Sequence, residues 1–411
     1  MNAISYRIKI EWSHLQALGV GLRRLLTAYT IFLVASPMLG LFVNTFLWRQ
    51  SGGVLLIALY DLGWVFGLPV GFLINGLLLR KIQIKYLYAI GVVLQAIGSA
   101  LAIFSGVLAP LPVLIYGLLY GVASGFFWGN QNTLELHLSR GRDRNFYNHF
   151  YYVIDLLISV VMPVVIGWLI VVGENLGLYQ AESAYKVLMV IALILLTTSG
   201  ILVASFPMPT IKVKKLRLKK PSKNWQYVRL HHFLFNLMWG VNFFLPAFLI
   251  LYFGSKEGIL GTMKSLASIL AAGAMYLLGR KAKLKHTVRV VALANVLYLI
   301  GCLVLIWQFS WLGAAIYLIT VLISSPIRFS TSYTVIMEIM DAEDGVLDGE
   351  TDYAVVFDNE LFFNLGRAVS ILFFLAVMTI SLEGALKWVP LIMAFMQFLA
   401  LIPLNHLTKQ V

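Results

Sequence analysis

Cysteine is almost absent from this 411-residue sequence. Cys302 stands alone inside an apolar run, which excludes an internal disulfide and is silent about compartment. Charge is also scarce. With 12% charged and 60% hydrophobic residues there is too little polar surface to cover a soluble globule of this length, whereas lipid requires none. Acidic residues number 18 against 31 Lys and Arg, and the net charge of +13 needs no nucleic acid once the placing of those cations is considered. Nucleophile-elbow, zinc-protease and nucleotide-binding motifs are missing, so an enzyme and an ATP-driven pump are set aside. The histidines lack the i, i+4 spacing of a metal site: His231 and His232 are adjacent, and His137 and His149 flank a loop. Neither a metal nor a cofactor is therefore expected.

What the chain has is long apolar runs, at about 25–48, 53–79, 84–107, 110–137, 147–172, 184–206, 230–253, 257–279, 287–308, 311–337, 355–380 and 384–406. Each exceeds the ~20 residues that cross a ~30 Å hydrocarbon layer, and a backbone in lipid must satisfy itself as helix. Twelve transmembrane helices, here spans 1 to 12, define an all-α polytopic membrane protein. Twenty-four of the 31 Lys and Arg fall in alternate gaps, which places both termini on the cytoplasmic side of a cell membrane, inner or plasma. Residues 1–24 read as a short interfacial helix, with no cleavable signal peptide.

The chain is duplicated at an offset of about 203 residues. Ile97 to Phe104 reads IGSALAIF and Ile300 to Trp307 reads IGCLVLIW, while GFLINGLLLRK from Gly71 matches GAMYLLGRK from Gly273. The expected organisation is a six-helix half over 1–206, a basic cytoplasmic linker over 207–229 and a second half over 230–411. Two six-helix halves, the basic central loop and Arg-Lys after spans 2 and 8 resemble the major facilitator superfamily. That family carries G-x-x-x-D-R-x-G-R-R between helices 2 and 3. Here Gly71 matches, Asn75 replaces the acid, Gly76 the base and Leu78 the second glycine, while Arg80 and Lys81 keep the terminal charge. In span 5, MPVVIGW with Pro163 and Gly167 resembles the antiporter motif of drug exporters, which raises efflux.

The resemblance implies alternating access around a central cavity lined by spans 1, 4, 7 and 10. Candidate substrate-binding residues on these spans are Asn44, Trp128, Asn130, Asn132, Trp239, Asn242, Arg328 and Tyr333; hydrogen bonding between helices is the alternative for the amides. Gly117, Gly121, Gly125 and Gly129 in span 4, and Gly63, Gly67 and Gly71 in span 2, read as packing stripes.

Charges within the spans are few. Asp61, Glu135 and Asp155 are the candidates for carrying a coupling proton, because acids at membrane depth are costly and functional. Asp61 and Lys264 occupy the same repeat position with opposite charge. Cross-half pairs are expected between Asp61 and Arg367 and between Asp155 and Lys264, with Glu360 as an alternative partner of Arg367. The acidic loop after span 10, from Glu338 to Asp352, is expected to meet Arg140, Arg142 and Arg144 as a cytoplasmic latch. The expected function is secondary transport of a small organic molecule by alternating access, driven by an ion gradient (protons first), in a monomer within the lipid bilayer. A non-transporting or lipid-handling protein on the same fold is the alternative.

Overall fold

A computed structural model describes residues 18–139, 142–209, 221–281, 284–343 and 352–410, with isolated residues at 16, 211, 213 and 216. The interfacial segment before residue 16 and the proposed latch partners, the side chains of Arg140, Arg142 and Arg144 and the loop at 344–351, lie outside the described residues. Twelve helices long and apolar enough to cross a membrane follow one another: Val20–Ser51, Val54–Leu78, Ile84–Phe104, Pro110–Glu135, Val153–Asn175, Ala181–Ala204, Lys223–Tyr252, Glu257–Leu278, Thr287–Trp307, Trp311–Met340, Tyr353–Met378 and Leu382–Thr408. They are the twelve spans expected. Among the described residues there is no strand.

Three spans expected to be continuous are broken. Span 1 divides at Gly40 into Val20–Leu39 and Leu41–Ser51, three residues after Pro37. Span 7 divides between Asn242 and Leu245, where Pro246 opens the second segment, and span 12 divides at Ala400 before Pro403. Proline removes a backbone donor and its ring clashes with the preceding turn, so each break has a local cause. Gly40 and Phe243 differ by 203 positions, the repeat offset, so spans 1 and 7 break at equivalent places.

The linker ends earlier than expected. Helix begins at Lys223, with Ser222 as N-cap accepting from the Trp225 amide at 3.1 Å. Asp358 on span 11 holds that first turn: it accepts from the Trp225 indole at 2.8 Å and from Arg229 Nε and Nη2 at 2.8 and 2.6 Å.

The glycine stripes interlock. A Cβ on Gly63, Gly67 or Gly71 would stand 2.1–2.3 Å from the carbonyl oxygens of Leu114, Leu118 and Val122, and one on Gly117, Gly121 or Gly125 would stand 2.0–2.3 Å from those of Tyr60, Trp64 and Leu68. The two backbones therefore touch along three rungs, where any side chain would force them apart. Gly129 leaves this pattern and faces Tyr353 and Asn75.

Between the first six spans and the last six, the close contacts are span 5 with span 8 and span 2 with span 11. Under the duplication span 2 corresponds to span 8 and span 5 to span 11, so the interface is made twice from equivalent elements. Span 5 meets span 8 through Gly167 against the Glu257 carbonyl, Gly261 against that of Pro163, and a hydrogen bond from Ser265 to the Val160 carbonyl. Pro163 and Gly167 thus form this packing surface. Span 2 meets span 11 near the end of the bundle that carries the basic connections, here the basic end.

Candidate functional site

Helical spacing gives spans 5 and 8 an apolar lipid face. Val153, Leu157, Val161, Val165 and Val172 are exposed on span 5, and Ile259, Leu266, Leu270 and Leu277 on span 8. Asp155 and Lys264 lie away from these stripes and are half-buried rather than buried.

Asp155 sits one turn beyond Tyr151, whose hydroxyl donates to that of Tyr29 on span 1 at 2.5 Å; the two rings stack with centroids 4.5 Å apart. Tyr29 lies within electrostatic reach of both Asp155 and Glu135. Around it stand Phe32, Phe127 and Trp128, with Trp128 edge-on to Tyr29 at 6.2 Å and to Phe32 at 5.9 Å. Trp128, Asn132 and Glu135 share one face of span 4 and all are half-buried. The structure therefore brings together four of the residues singled out from sequence, Trp128, Asn132, Glu135 and Asp155, and adds Tyr29, Phe32 and Tyr151.

Asp61 belongs elsewhere. It is 4% exposed and accepts from Asn44 at 3.1 Å, so the segment of span 1 beyond its break is tied to span 2.

The expected cross-half pairs are corrected. Antiparallel contacts of Phe72 with Phe357 and of Asn75 with Tyr353 bring Asp61 and Arg367 to the same depth, yet the two do not pair. Asp61 is engaged by Asn44, and Arg367 lies over Phe243 at 5.3 Å, a ring that packs on Trp64 of span 2 at 4.6 Å. Arg367 instead donates to Asn236 at 3.0 Å and Asn364 at 3.2 Å, and Asn364 donates to the Glu360 carboxylate at 3.2 Å. Glue by amides replaces a direct Glu360–Arg367 bridge. Asp155 and Lys264 also stay apart: Val160 lies level with Ser265, which leaves the two charges five to six residues apart along the axis, roughly 8 Å at 1.5 Å per residue. Among the described residues Lys264 has no hydrogen-bond or ion-pair partner.

Four expected substrate-binding residues are engaged inside the bundle, Asn44 through its bond to Asp61. Arg328 is 0% exposed and is held by Gln397 at 3.2 Å, the Ser324 carbonyl at 3.3 Å, Ser325, Met238 and the rings of Phe235 and Tyr298. No carboxylate joins it among the described residues; neutral dipoles and π faces take the cation instead. Asn242 bonds Tyr298 and Tyr317, and Asn130 exchanges hydrogen bonds with Asn75 at 2.9 and 3.1 Å. Trp239, packed on Phe243, and Tyr333, stacked on Phe329, remain half-buried.

Both ends of the interface carry a polar tie. At the basic end Tyr353 of span 11 accepts from Asn75 at 3.0 Å and donates to the Phe72 carbonyl at 2.7 Å. Asn75, the position of the family's missing acid, thus joins spans 2, 4 and 11 without charge. At the far end Arg49 of span 1 grips Glu174 of span 5 with two bonds of 2.9 Å and Glu257 of span 8 with two more. Tyr185 donates to Glu257 at 2.6 Å and lies 3.0 Å from Thr45. Two cavities of about 340 and 260 Å³ flank this cluster and share Arg49 and Glu174 as lining. Arg49 is not among the residues singled out from sequence. Its signal was available: Arg49, Glu174 and Glu257 each end or begin an apolar run on the charge-poor side.

Residues 25–346 match the Major Facilitator Superfamily. The Bacillus subtilis (strain 168) protein named uncharacterized protein YqgE is 25% identical over 370 residues, covering 88% of this chain and 84% of its own. Among solved structures, a bacterial homologue of the iron transporter ferroportin in its inward-facing state superposes with TM-score 0.70 at 14% identity, over 95% of this chain and 98% of that one. The E. coli fucose:proton symporter superposes with TM-score 0.60 at 15% identity, over 94% and 98%. With twelve spans, a repeated two-fold interface and this match over most of its length, the chain belongs to the Major Facilitator Superfamily of membrane transporters.

Proposed function

We propose that this protein is a proton-coupled carrier of a small organic solute, working by alternating access as a monomer in a cell membrane with both termini in the cytoplasm. The far end is then the outer side, and residues 1–206 and 230–411 move as the two rocking bodies. The observation that carries this reading is the convergence of Tyr29, Tyr151, Asp155 and Glu135 beside Trp128 and Asn132 on one internal face. A carboxylate held at membrane depth without a cation is costly in its charged form, so its charge depends on whether water or a partner reaches it. That is the property a coupling acid needs, since it must load a proton in one state and release it in the other. The neighbouring aromatic faces and the Asn132 amide suit an amphipathic or hydroxylated cargo. Pro163 and Gly167 serve the contact of spans 5 and 8, which import and export both require, so they favour neither direction.

The test is transport in proteoliposomes. Asp155→Asn should abolish uptake driven by a pH gradient while leaving solute exchange at equal pH. Full gradient-driven transport in that variant removes Asp155 from the mechanism.

A further inference from the structure

Lys264 is a cation at the repeat position where the first half has Asp61, placed on the inward side of span 8 and half-buried. The groups packed against it offer no compensating charge. Span 5 brings Ser265's partner, the Val160 carbonyl, and Asp155 a turn and a half further toward the basic end; span 10 runs parallel to span 8, with Trp311 on Ser255 and Ser330 beside Met275, so Ile319 and Thr320 lie level with Lys264 while Arg328 is more than two turns away. Asp155 and Glu135 each lie within electrostatic reach of Tyr29 on span 1, and Tyr151, bonded to Tyr29, is one turn from Asp155 on its own span. Among the described residues neither Lys264 nor Asp155 has an ion-pair partner, and both are half-buried on faces of spans 8 and 5 turned away from the lipid stripes.

We infer that Lys264 is the anchor for an anionic headgroup, and that the cargo is an amphipathic organic monoanion carried together with one proton on Asp155. This rests on the transport reading above and names its substrate class. The charge balance supports it. The empty carrier holds Lys264 as a cation and Asp155 as an anion. The loaded carrier holds Lys264 with the bound anion and Asp155 protonated, the proton coming from water on the loading side and returning to water on the other. Both forms therefore cross with the same net charge, because a monoanion and a proton together add none, and a low-dielectric interior reorients at least cost when loading adds no charge to it. Loading only the anion, or only the proton, would change the charge within the membrane by one. With an inward proton gradient the carrier moves the anion inward.

The apolar body of such an anion has a surface to rest on: Trp128, Tyr29 and Phe32 form a contiguous aromatic wall beside Asp155. Arg367 is less suited as the anchor, because two amides and two rings already surround its guanidinium.

The experiment measures binding at equilibrium, with no gradient, on the full chain in lipid nanodiscs. Indole-3-acetate and 4-phenylbutyrate are titrated against their neutral amides. The expected result is binding of an acid at least about tenfold tighter than its amide, lost in Lys264→Gln and retained in Lys264→Arg. If Lys264→Gln does not fold, protection of Lys264 from an amine-reactive acetylating reagent by the acid and not by the amide reads the same contact on the unaltered chain. Equal binding of acids and amides, no binding of either acid, or an acid preference that survives in Lys264→Gln overturns the proposal. Repeating the titration in two buffers of different ionisation enthalpy should show about one proton taken up per anion, absent in Asp155→Asn. Acid preference at Lys264 without proton uptake would leave the anion site standing and refute the coupling role of Asp155 instead.

Discussion

Arg49 and Glu257 lie 208 residues apart in the chain and share two hydrogen bonds, one of 3.0 Å from Nη2 to Oε2. The pair joins the first six spans to the last six at the far end. Glu257 is buried while Arg49 is partly open, so the contact lies between a surface pair and a desolvated one. Each regime has its own worth, and about 1–3 kcal/mol is expected for losing either partner.

That tie predicts a gate. In a Cys302→Ser background, Thr45→Cys sits behind Tyr185 and should react slowly with an impermeant maleimide. Adding Arg49→Gln should raise its labelling severalfold. Equal labelling with and without Arg49 would mean that the cluster does not control access from that side.

Tyr353→Phe tests the opposite end. It removes one hydroxyl, and with it the bond from Asn75 and the bond to the Phe72 carbonyl, at little change in volume. The variant should fold, lose about 1–2 kcal/mol, and expose Asn75→Cys, in the same cysteine-free background, to reagents from the basic end. Unchanged reactivity there would assign Tyr353 to packing alone.

Arg328 is expected to be a folding residue. Arg328→Gln should lower the melting temperature by an amount corresponding to about 2 kcal/mol or more, because Gln397 and the Ser324 carbonyl lose a charged partner. The pair Arg328→Met with Gln397→Leu should recover much of it, as apolar replacements of a buried polar unit often do. A variant with normal stability and altered solute affinity would return Arg328 to the binding site.

Gly67→Ala should be costly for so small a change. The new methyl would meet the Leu118 carbonyl at 2.3 Å, and the helices must separate along the ladder. A loss of about 1–3 kcal/mol is expected from overpacking, read as a fall in melting temperature. Gly273→Ala, where nothing lies within 4 Å, is the control and should be neutral.

Span number was legible because apolar run length and loop charge follow directly from the energetics of lipid, whereas the meeting of spans 2 and 11 and of spans 5 and 8 was implied by the family resemblance. The charge pairs were not. Asp61 and Arg367 do reach the same depth, which helix rise and family geometry convey; the placing of Phe243 against Trp64 and under Arg367 depends on the break in span 7. Pro246 alone could not place that break, since proline is tolerated at the start of a helical segment as well as within one. Arg328 was misread for a different reason. Sequence reading of a buried cation looks for a carboxylate, and its actual partners are an amide, a carbonyl, a thioether and two rings, none of which carries a charge to notice.

The three glycine rungs between spans 2 and 4 turn those helices into one stiff beam. Backbone meets backbone at each rung, so no rotamer change at those glycines can loosen the joint. Tyr353 bears on the basic end of that beam through Asn75, and Trp64 meets Phe243 at the break of span 7 further along it. One rigid pair of the first half thus bears on the second half at two depths, on span 11 and at the break of span 7, so a tilt of that pair must be met at both places.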